Sequence, residues 1–211
     1  WMGRGDAVAA VGAAREAMAG QLGRLPIKAR IVAGRSGGPC CEGLCVGDEV
    51  GSESGPWLPP TFGQEQWLSD PPEMWDLAVD PIQAPELLAR GADGALAMMA
   101  AGPSGSLLSV PEMYMQKLIV PPEAVGTVDL DAPVIDNVRA VASALGRPPA
   151  ELDVVILDRP RHEVLIEQVR RSGARIKLIT DGDVSAGLAV ASGDAGVDMY
   201  IGIGGSTEGI L

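Results

Sequence analysis

Residues 153–205, DVVILDRPRHEVLIEQVRRSGARIKLITDGDVSAGLAVASGDAGVDMYIGIGG, decide the fold class. Short apolar runs at 154–157, 176–180 and 199–203 read as strands, and the stretches 161–172 and 183–191 between them read as helices. Strands alternating with helices predict βαβ units on a parallel or mixed sheet. Ligands of such sheets sit outside the carboxyl ends of the strands. The strings DRPRH (158–162), DGD (181–183) and GIGGSTEG (202–209) all fall there.

Upstream, residues 6–22 are Ala-rich with an apolar stripe at Val8, Val11, Ala14 and Met18, which predicts a helix. Residues 28–33 read as a strand entering the loop GRSGGPC (34–40). Pro and Gly break any regular element over 51–72. A short strand at 75–79 is expected to deliver Asp80 to its C-terminal end. Two further strands, 94–101 and 106–110, flank GPSG (102–105), which reads as a hairpin turn. A linker at 121–127 precedes a helix at 134–145, with Asp131 just before it. The change of rhythm places a division in 126–151 and suggests lobes of 1–126 and 127–211. The start in WMGRGDAV and the stop after a Gly-rich turn suggest a piece of a larger domain.

The chain has 211 residues, enough for one large core, and its net charge of -12 has no offsetting basic cluster. That balance argues against nucleic acid and anionic membranes as partners and is compatible with a basic partner. No apolar run approaches the ~18 residues of a membrane span, and no signal-peptide pattern is visible. Aromatics are 3% of residues, so aliphatic side chains must fill the interior. Cys40, Cys41 and Cys45 lack the spacing of a disulfide framework or a metal site and read first as ordinary thiols in a reducing compartment, with a redox pair and a metal site as the weaker alternatives.

Seven strings together resemble the class II fructose-1,6-bisphosphatases, including the cyanobacterial fructose-1,6-/sedoheptulose-1,7-bisphosphatases. They are WMGRGD (1–6), VGDEVG (46–51), AVDP (78–81), YMQKL (114–118), ILDRPRH (156–162), ITDGDVSAG (179–187) and IGIGGSTEG (201–209). The resemblance implies a layered α/β/α/β/α sugar-phosphatase fold, inositol monophosphatase/fructose-bisphosphatase-like, here incomplete at both ends. It also implies a chemistry in which two or more divalent cations, Mg2+ or Mn2+, activate water and neutralise the phosphate.

Carboxylates must build those ion sites, and the resemblance allows each position to be compared. The family's Lys and Asp on the first helix correspond to Ala7 and Val11. Its GEGE string corresponds to Gly34, Arg35, Ser36 and Gly37, without the metal-binding Glu. Its DPxEGT string corresponds to Asp80, Pro81, Ile82, Gln83, Ala84 and Pro85, so a Glu ligand and the water-orienting Thr are absent. Asp80 and Glu208 are the carboxylates that remain as metal ligands, two where the family has five. Loss of a single supporting contact costs about 10- to 100-fold in metal affinity, and loss of ligands costs more. No cofactor is therefore expected, unless activity persists with Mg2+ or Mn2+.

The substrate side is better kept. By resemblance Tyr114 and Lys117 approach the sugar phosphate, Arg159 and Arg161 hold phosphate, Asp181 and Asp183 accept sugar hydroxyls, and amides near Gly204 and Gly205 add an anion nest. Plainer readings stand beside these: ion pairs for the arginines, helix caps for Asp80, Asp181 and Asp183, a first-turn acid for Glu208, core packing for Tyr114, and local hydrogen bonding for His162. The combination points to a non-catalytic relative serving as a structural or scaffold subunit with other protein subunits. An active divergent bisphosphatase and a sugar-phosphate-binding regulator are the alternatives. The photosynthetic relatives implied by the resemblance suggest a chloroplast stroma or the stromal side of a chloroplast complex, with a cytoplasmic location as the alternative.

Overall fold

The computed structural model describes residues 1–34, 43–52, 73–193 and 196–211. The chain forms two compact units, Trp1–Glu112 with Ile210–Leu211, and Met113–Gly209. The division falls at 112/113, ahead of the 126/127 boundary read from the sequence, because the strand at Tyr114–Ile119 pairs within the second unit.

In the first unit α1 (Ala7–Leu22) follows the cap Asp6, whose carboxylate accepts the Ala9 N–H at 2.9 Å. The buried residues of α1 are Ala10, Arg15 and Leu22, and Met18 packs against the core cluster that contains Leu22. Val8, expected on the apolar stripe, is 84% exposed, so the buried face is rotated from the expected one. The strands β1 (Ala29–Gly34), β2 (Glu49–Val50), β3 (Trp75–Gln83) and β4 (Leu96–Pro103) form a sheet in the order β2-β1-β3-β4. β1 and β3 are parallel and the other pairs are antiparallel. Ile31, Leu77 and Val79 carry the core of this unit with Leu22, Ala29, Leu44 and Val50.

β3 runs past the expected end at 79, so Asp80 lies inside a strand, paired with Met98 and 1% exposed. Beyond it the β3–β4 register shifts before Gln83 meets Leu96. Pro81 sits in that irregularity, where a residue without an N–H is tolerated. α2 (Pro85–Arg90) starts at once, with Pro at its first position and Ala84 as its cap in the left-handed region at φ 60. Ala84 is the only non-glycine with positive φ among the described residues. Ala84→Gly is therefore expected to stabilise the fold by about 0.5–1 kcal/mol, read as a higher denaturation midpoint.

Three of the strings have local structural uses. In WMGRGD, the Gly3 and Gly5 N–H groups donate to the Leu88 and Ala89 carbonyls that close α2. In VGDEVG, the Asp48 carboxylate accepts the Gly43 and Cys45 N–H groups at 2.9 Å each. Cys45 is disulfide-bonded, which corrects its reading as a free thiol; Cys40 and Cys41 lie outside the described residues. The expected hairpin after GPSG does not form. The Gly105 N–H is held by Asp76 Oδ2 at 2.6 Å and residues 106–110 are not a strand.

In the second unit β5 (Tyr114–Ile119), β6 (Asp153–Leu157), β7 (Arg175–Ile179) and β8 (Met199–Gly205) form a sheet in the order β5-β8-β6-β7. β6 pairs with β7 and β8 in parallel, and β5 closes the edge antiparallel to β8, so the sheet is mixed as the alternation predicts. The helices are α3 (Val134–Ala144), α4 (Glu163–Ser172), α5 (Asp183–Ser192) and the short α6 (Thr207–Ile210). Val154, Ile156, Met199 and Ile201 face one way and pack on Val138 and Val141 of α3 and Ile166 and Val169 of α4. Val155 and Tyr200 face the other way and pack on Val190 of α5. Helices on both faces explain why these strands read as unbroken apolar runs. Among the described residues no helix is long and apolar enough to cross a membrane.

Candidate functional site

The second unit gathers most of the residues singled out for substrate binding at the carboxyl end of β8. β5 and β8 pair residue for residue, with Met115 opposite Gly204 and Lys117 opposite Gly202. Alternation sends Lys117 to the α5 side. There its Nζ donates to Asp183 Oδ2 at 2.8 Å, with both side chains nearly buried at 7% and 8% exposure. Asp183 is the first residue of α5, and the cap is Gly182 in the left-handed region. The helix therefore begins one residue earlier than a capping role for Asp183 requires. Asp181 stays local, accepting the Gly182 N–H at 2.9 Å.

The glycines of β8 make room for these groups. A Cβ on Gly204 would lie 2.5 Å from Asp183 Oδ2 and 3.1 Å from Lys117 Nζ. A Cβ on Gly205 would lie 2.1 Å from Glu208 Oε2, so that carboxylate is folded flat over the turn that precedes α6. A carboxylate thus stands where a Cβ of each glycine would, that of Asp183 at Gly204 and that of Glu208 at Gly205, and an anion at either position meets a negative charge of the chain itself. Ser206 extends the β5–β8 pairing by one rung, donating its N–H to the Met113 carbonyl while its Oγ accepts the Met113 N–H.

On the other face Tyr114, 69% exposed, stacks under the Arg161 guanidinium at 4.9 Å. Arg161 Nε and Nη2 both donate to the Ile203 carbonyl, at 3.2 and 2.9 Å. Its Nη1 makes no hydrogen bond among the described residues, and no carboxylate there forms an ion pair with it. This is a cation held in place with an unused edge, which suits a phosphate oxygen. Arg159 instead bonds the neighbouring Asp158 carbonyl at 3.2 Å and does not join Arg161. A cavity of about 180 Å³ lies beside Arg161, walled by Leu118, Leu130, Val134, Leu165 and Ile201.

Two residues shape the site without a signal in the sequence. Tyr200 is fully buried, and its hydroxyl has no hydrogen-bond partner among the described residues. Burial raises its pKa far above the ordinary phenol range. The Asp183 charge adds to this, Arg161 opposes it and Glu208 adds a little more, so Tyr200 is a neutral phenol and no general base. Ile203, one apolar residue among several, supplies the backbone groups that Arg161 and His162 grip. A hydrogen-bonded main-chain group leaves no mark in the residue type.

The metal side fits poorly. Val11 lies within α1 and offers no donor. Gln83 is buried at 2% exposure with a neutral amide, and Pro85 opens α2 where a hydroxyl is needed. Gly37 lies outside the described residues. Among the described residues no three His, Cys, Asp or Glu side chains converge to hold a metal ion. Asp80 is buried within β3, and Glu208 is folded over Gly205. The donor set shown does not match a cluster of divalent cations carrying a phosphoryl-transfer reaction.

Two four-stranded sheets with helices place the chain in the α/β sugar-phosphatase fold class. A family model described as bacterial fructose-1,6-bisphosphatase, glpX-encoded, matches residues 1–211. The chain belongs to this class II fructose-1,6-bisphosphatase family. It is 40% identical over 211 residues to a D-fructose 1,6-bisphosphatase class 2/sedoheptulose 1,7-bisphosphatase of Synechococcus sp. (strain JA-3-3Ab), covering all of this chain and 59% of that protein. It is 41% identical over 211 residues to fructose-1,6-bisphosphatase 1 class 2 of Escherichia coli (strain K12), covering all of this chain and 58% of that one. The Synechocystis sp. (strain ATCC 27184 / PCC 6803 / Kazusa) relative is 37% identical over 213 residues, with all of this chain and 60% of that protein covered. The chain thus spans less than two thirds of the length of these relatives.

Proposed function

We propose that the chain is a non-catalytic member of the class II fructose-1,6-bisphosphatase family that serves as a structural subunit of a larger assembly. The observation that carries this reading is the β3–α2 junction. There a buried neutral Gln83 and the helix-opening Pro85 occupy the positions of a metal-binding Glu and a water-orienting Thr. Neither can be converted by a small movement, since one lacks charge and the other lacks a hydroxyl. Val11 repeats the pattern on α1. The relatives are named as bisphosphatases, and metal-assisted hydrolysis of a phosphate ester requires groups these positions do not supply.

Manganese titration followed by electron paramagnetic resonance tests the reading. The natural chain should leave the free Mn2+ signal undepleted at millimolar metal. A variant with Val11→Asp, Gly37→Glu, Gln83→Glu and Pro85→Thr should bind the ion more tightly by at least the ~10- to 100-fold that one supporting contact alone can shift. Tight Mn2+ binding by the natural chain would contradict the reading.

A second reading, that the chain binds a sugar phosphate without hydrolysing it, is favoured by the fixed and incompletely used guanidinium of Arg161 on Tyr114. The structural role calls for other protein subunits as partners. The likeness to the Synechococcus and Synechocystis proteins supports the chloroplast stroma or the stromal side of a chloroplast complex, with the cytoplasm as the alternative. Fractionation of the source cells with an antibody to this chain separates the two.

A further inference from the structure

The last two residues of DRPRH close on a single residue of β8. In an extended strand the N–H and C=O of one residue point to the same side. The backbone of Ile203 offers both groups, and β6 takes neither, because the β6–β8 ladder stops at Val155 opposite Tyr200. The Ile203 N–H donates to His162 Nε2 at 2.8 Å, and the Ile203 carbonyl accepts the fork of Arg161. Two consecutive side chains thus replace the strand neighbour that the ladder no longer supplies.

The imidazole is fixed at both ends. Its Nδ1 lies 2.7 Å from the carbonyl of Leu157, the last residue of β6. A carbonyl only accepts, so Nδ1 carries the proton; an amide N–H only donates, so Nε2 is bare. His162 is fully buried, and its Cε1 and Nε2 lie 3.3 and 3.4 Å from where a Cβ on Gly202 would stand. The ring is a rigid strut between the end of β6 and β8.

We propose that His162 is the positioning residue of the phosphate grip. Its Nε2 fixes the strand end at Ile203, and the Ile203 carbonyl in turn aims the Arg161 guanidinium. This rests on the second reading above, in which Arg161 receives a phosphate. No general-base role is involved, since both ring nitrogens are occupied by backbone groups.

Three substitutions separate positioning from stability. In His162→Asn the side-chain NH2 can replace Nδ1–H toward Leu157 but nothing reaches Ile203. In His162→Gln the amide oxygen can stand near the place of Nε2 and accept the Ile203 N–H. His162→Ala loses both bonds. Dissociation constants for inorganic phosphate and for fructose 1,6-bisphosphate are measured by calorimetry, with melting temperatures alongside and the Arg161 Nε–H resonance followed by 15N relaxation.

The Ala and Asn variants should lose about tenfold or more in affinity, the scale of one unsatisfied buried donor. The Gln variant should recover to within about threefold of the natural chain at a melting temperature similar to that of Asn. Equal losses in Gln and Asn, or affinities that simply follow melting temperature, would overturn the proposal. If the natural chain binds neither anion, the sugar-phosphate reading fails. The positioning claim is then decided by Arg161, whose Nε–H should become mobile in the Asn variant and remain ordered in the Gln variant. A long-range 1H–15N spectrum of the natural chain needs no variant to fold. It should show His162 protonated at Nδ1, and protonation at Nε2 instead would overturn the proposal.

Discussion

Asp183→Asn is expected to lower the unfolding free energy by about 3–5 kcal/mol, the cost of removing one partner from a buried ion pair. The pair with Lys117 is nearly closed to solvent at 8% and 7% exposure, so water cannot replace the lost charge. Lys117→Met should cost a similar amount by stranding the carboxylate. The double replacement Lys117→Met with Asp183→Leu should recover most of either loss, because no unpaired charge remains. Urea denaturation of the four proteins gives the comparison. A loss below about 1 kcal/mol for Asp183→Asn, the range of an exposed pair, would contradict the burial described for this pair.

The second large effect is expected at Gly51, which ends the VGDEVG string. Its φ is +105, and a Cβ there would stand 1.9 Å from the main-chain carbonyl oxygen of Ile27. Ser52 donates its N–H to the Leu25 carbonyl at 2.7 Å, so the two segments are tied and cannot separate freely. Gly51→Ala therefore combines a disfavoured backbone conformation with a clash against backbone. The expected loss is about 3 kcal/mol or more, seen as a lower melting temperature or as failure to accumulate folded protein. The same change at Gly12 within α1, where a Cβ meets nothing within 4 Å, should instead stabilise by up to about 1 kcal/mol. The opposite signs of these two substitutions test the local packing without reference to activity.

The sequence was most readable where burial on both sheet faces leaves an unbroken apolar run. VVIL became β6, and the segments around it became α4, β7, α5 and β8 within a residue or two of expectation. β5 is not legible as a strand, since Gln116 and Lys117 interrupt its apolar pattern. Lys117 is polar because it meets a carboxylate 66 residues further along the chain, a pairing that no local pattern reveals. The hairpin after GPSG failed for a related reason. Asp76, on a different element, captures the turn and draws the chain away from pairing. The extension of β3 through Pro81 depended on a register irregularity that tolerates proline, whereas the sequence rule treats proline as an end.

At the site, the residue types alone separated the two halves of the chemistry. Loss of donors at Val11, Gln83 and Pro85 was visible without coordinates, and the fold adds that Gln83 is buried and Pro85 is committed to opening a helix. Which retained residues meet was not visible. Lys117 closes on Asp183, Tyr114 on Arg161, and Glu208 on the backbone of Gly205. The place of His162 between two strands required the ladder to end at Tyr200, a fact of register that composition does not carry.

Release of inorganic phosphate from fructose 1,6-bisphosphate, with Mg2+ or Mn2+ present and the full gene product as enzyme, tests the central claim most directly. The account predicts no turnover above the uncatalysed background at any metal concentration. Turnover that depends on added metal and disappears with a chelator would contradict it, and would show that the missing ligands come from elsewhere in the protein or from a neighbouring subunit.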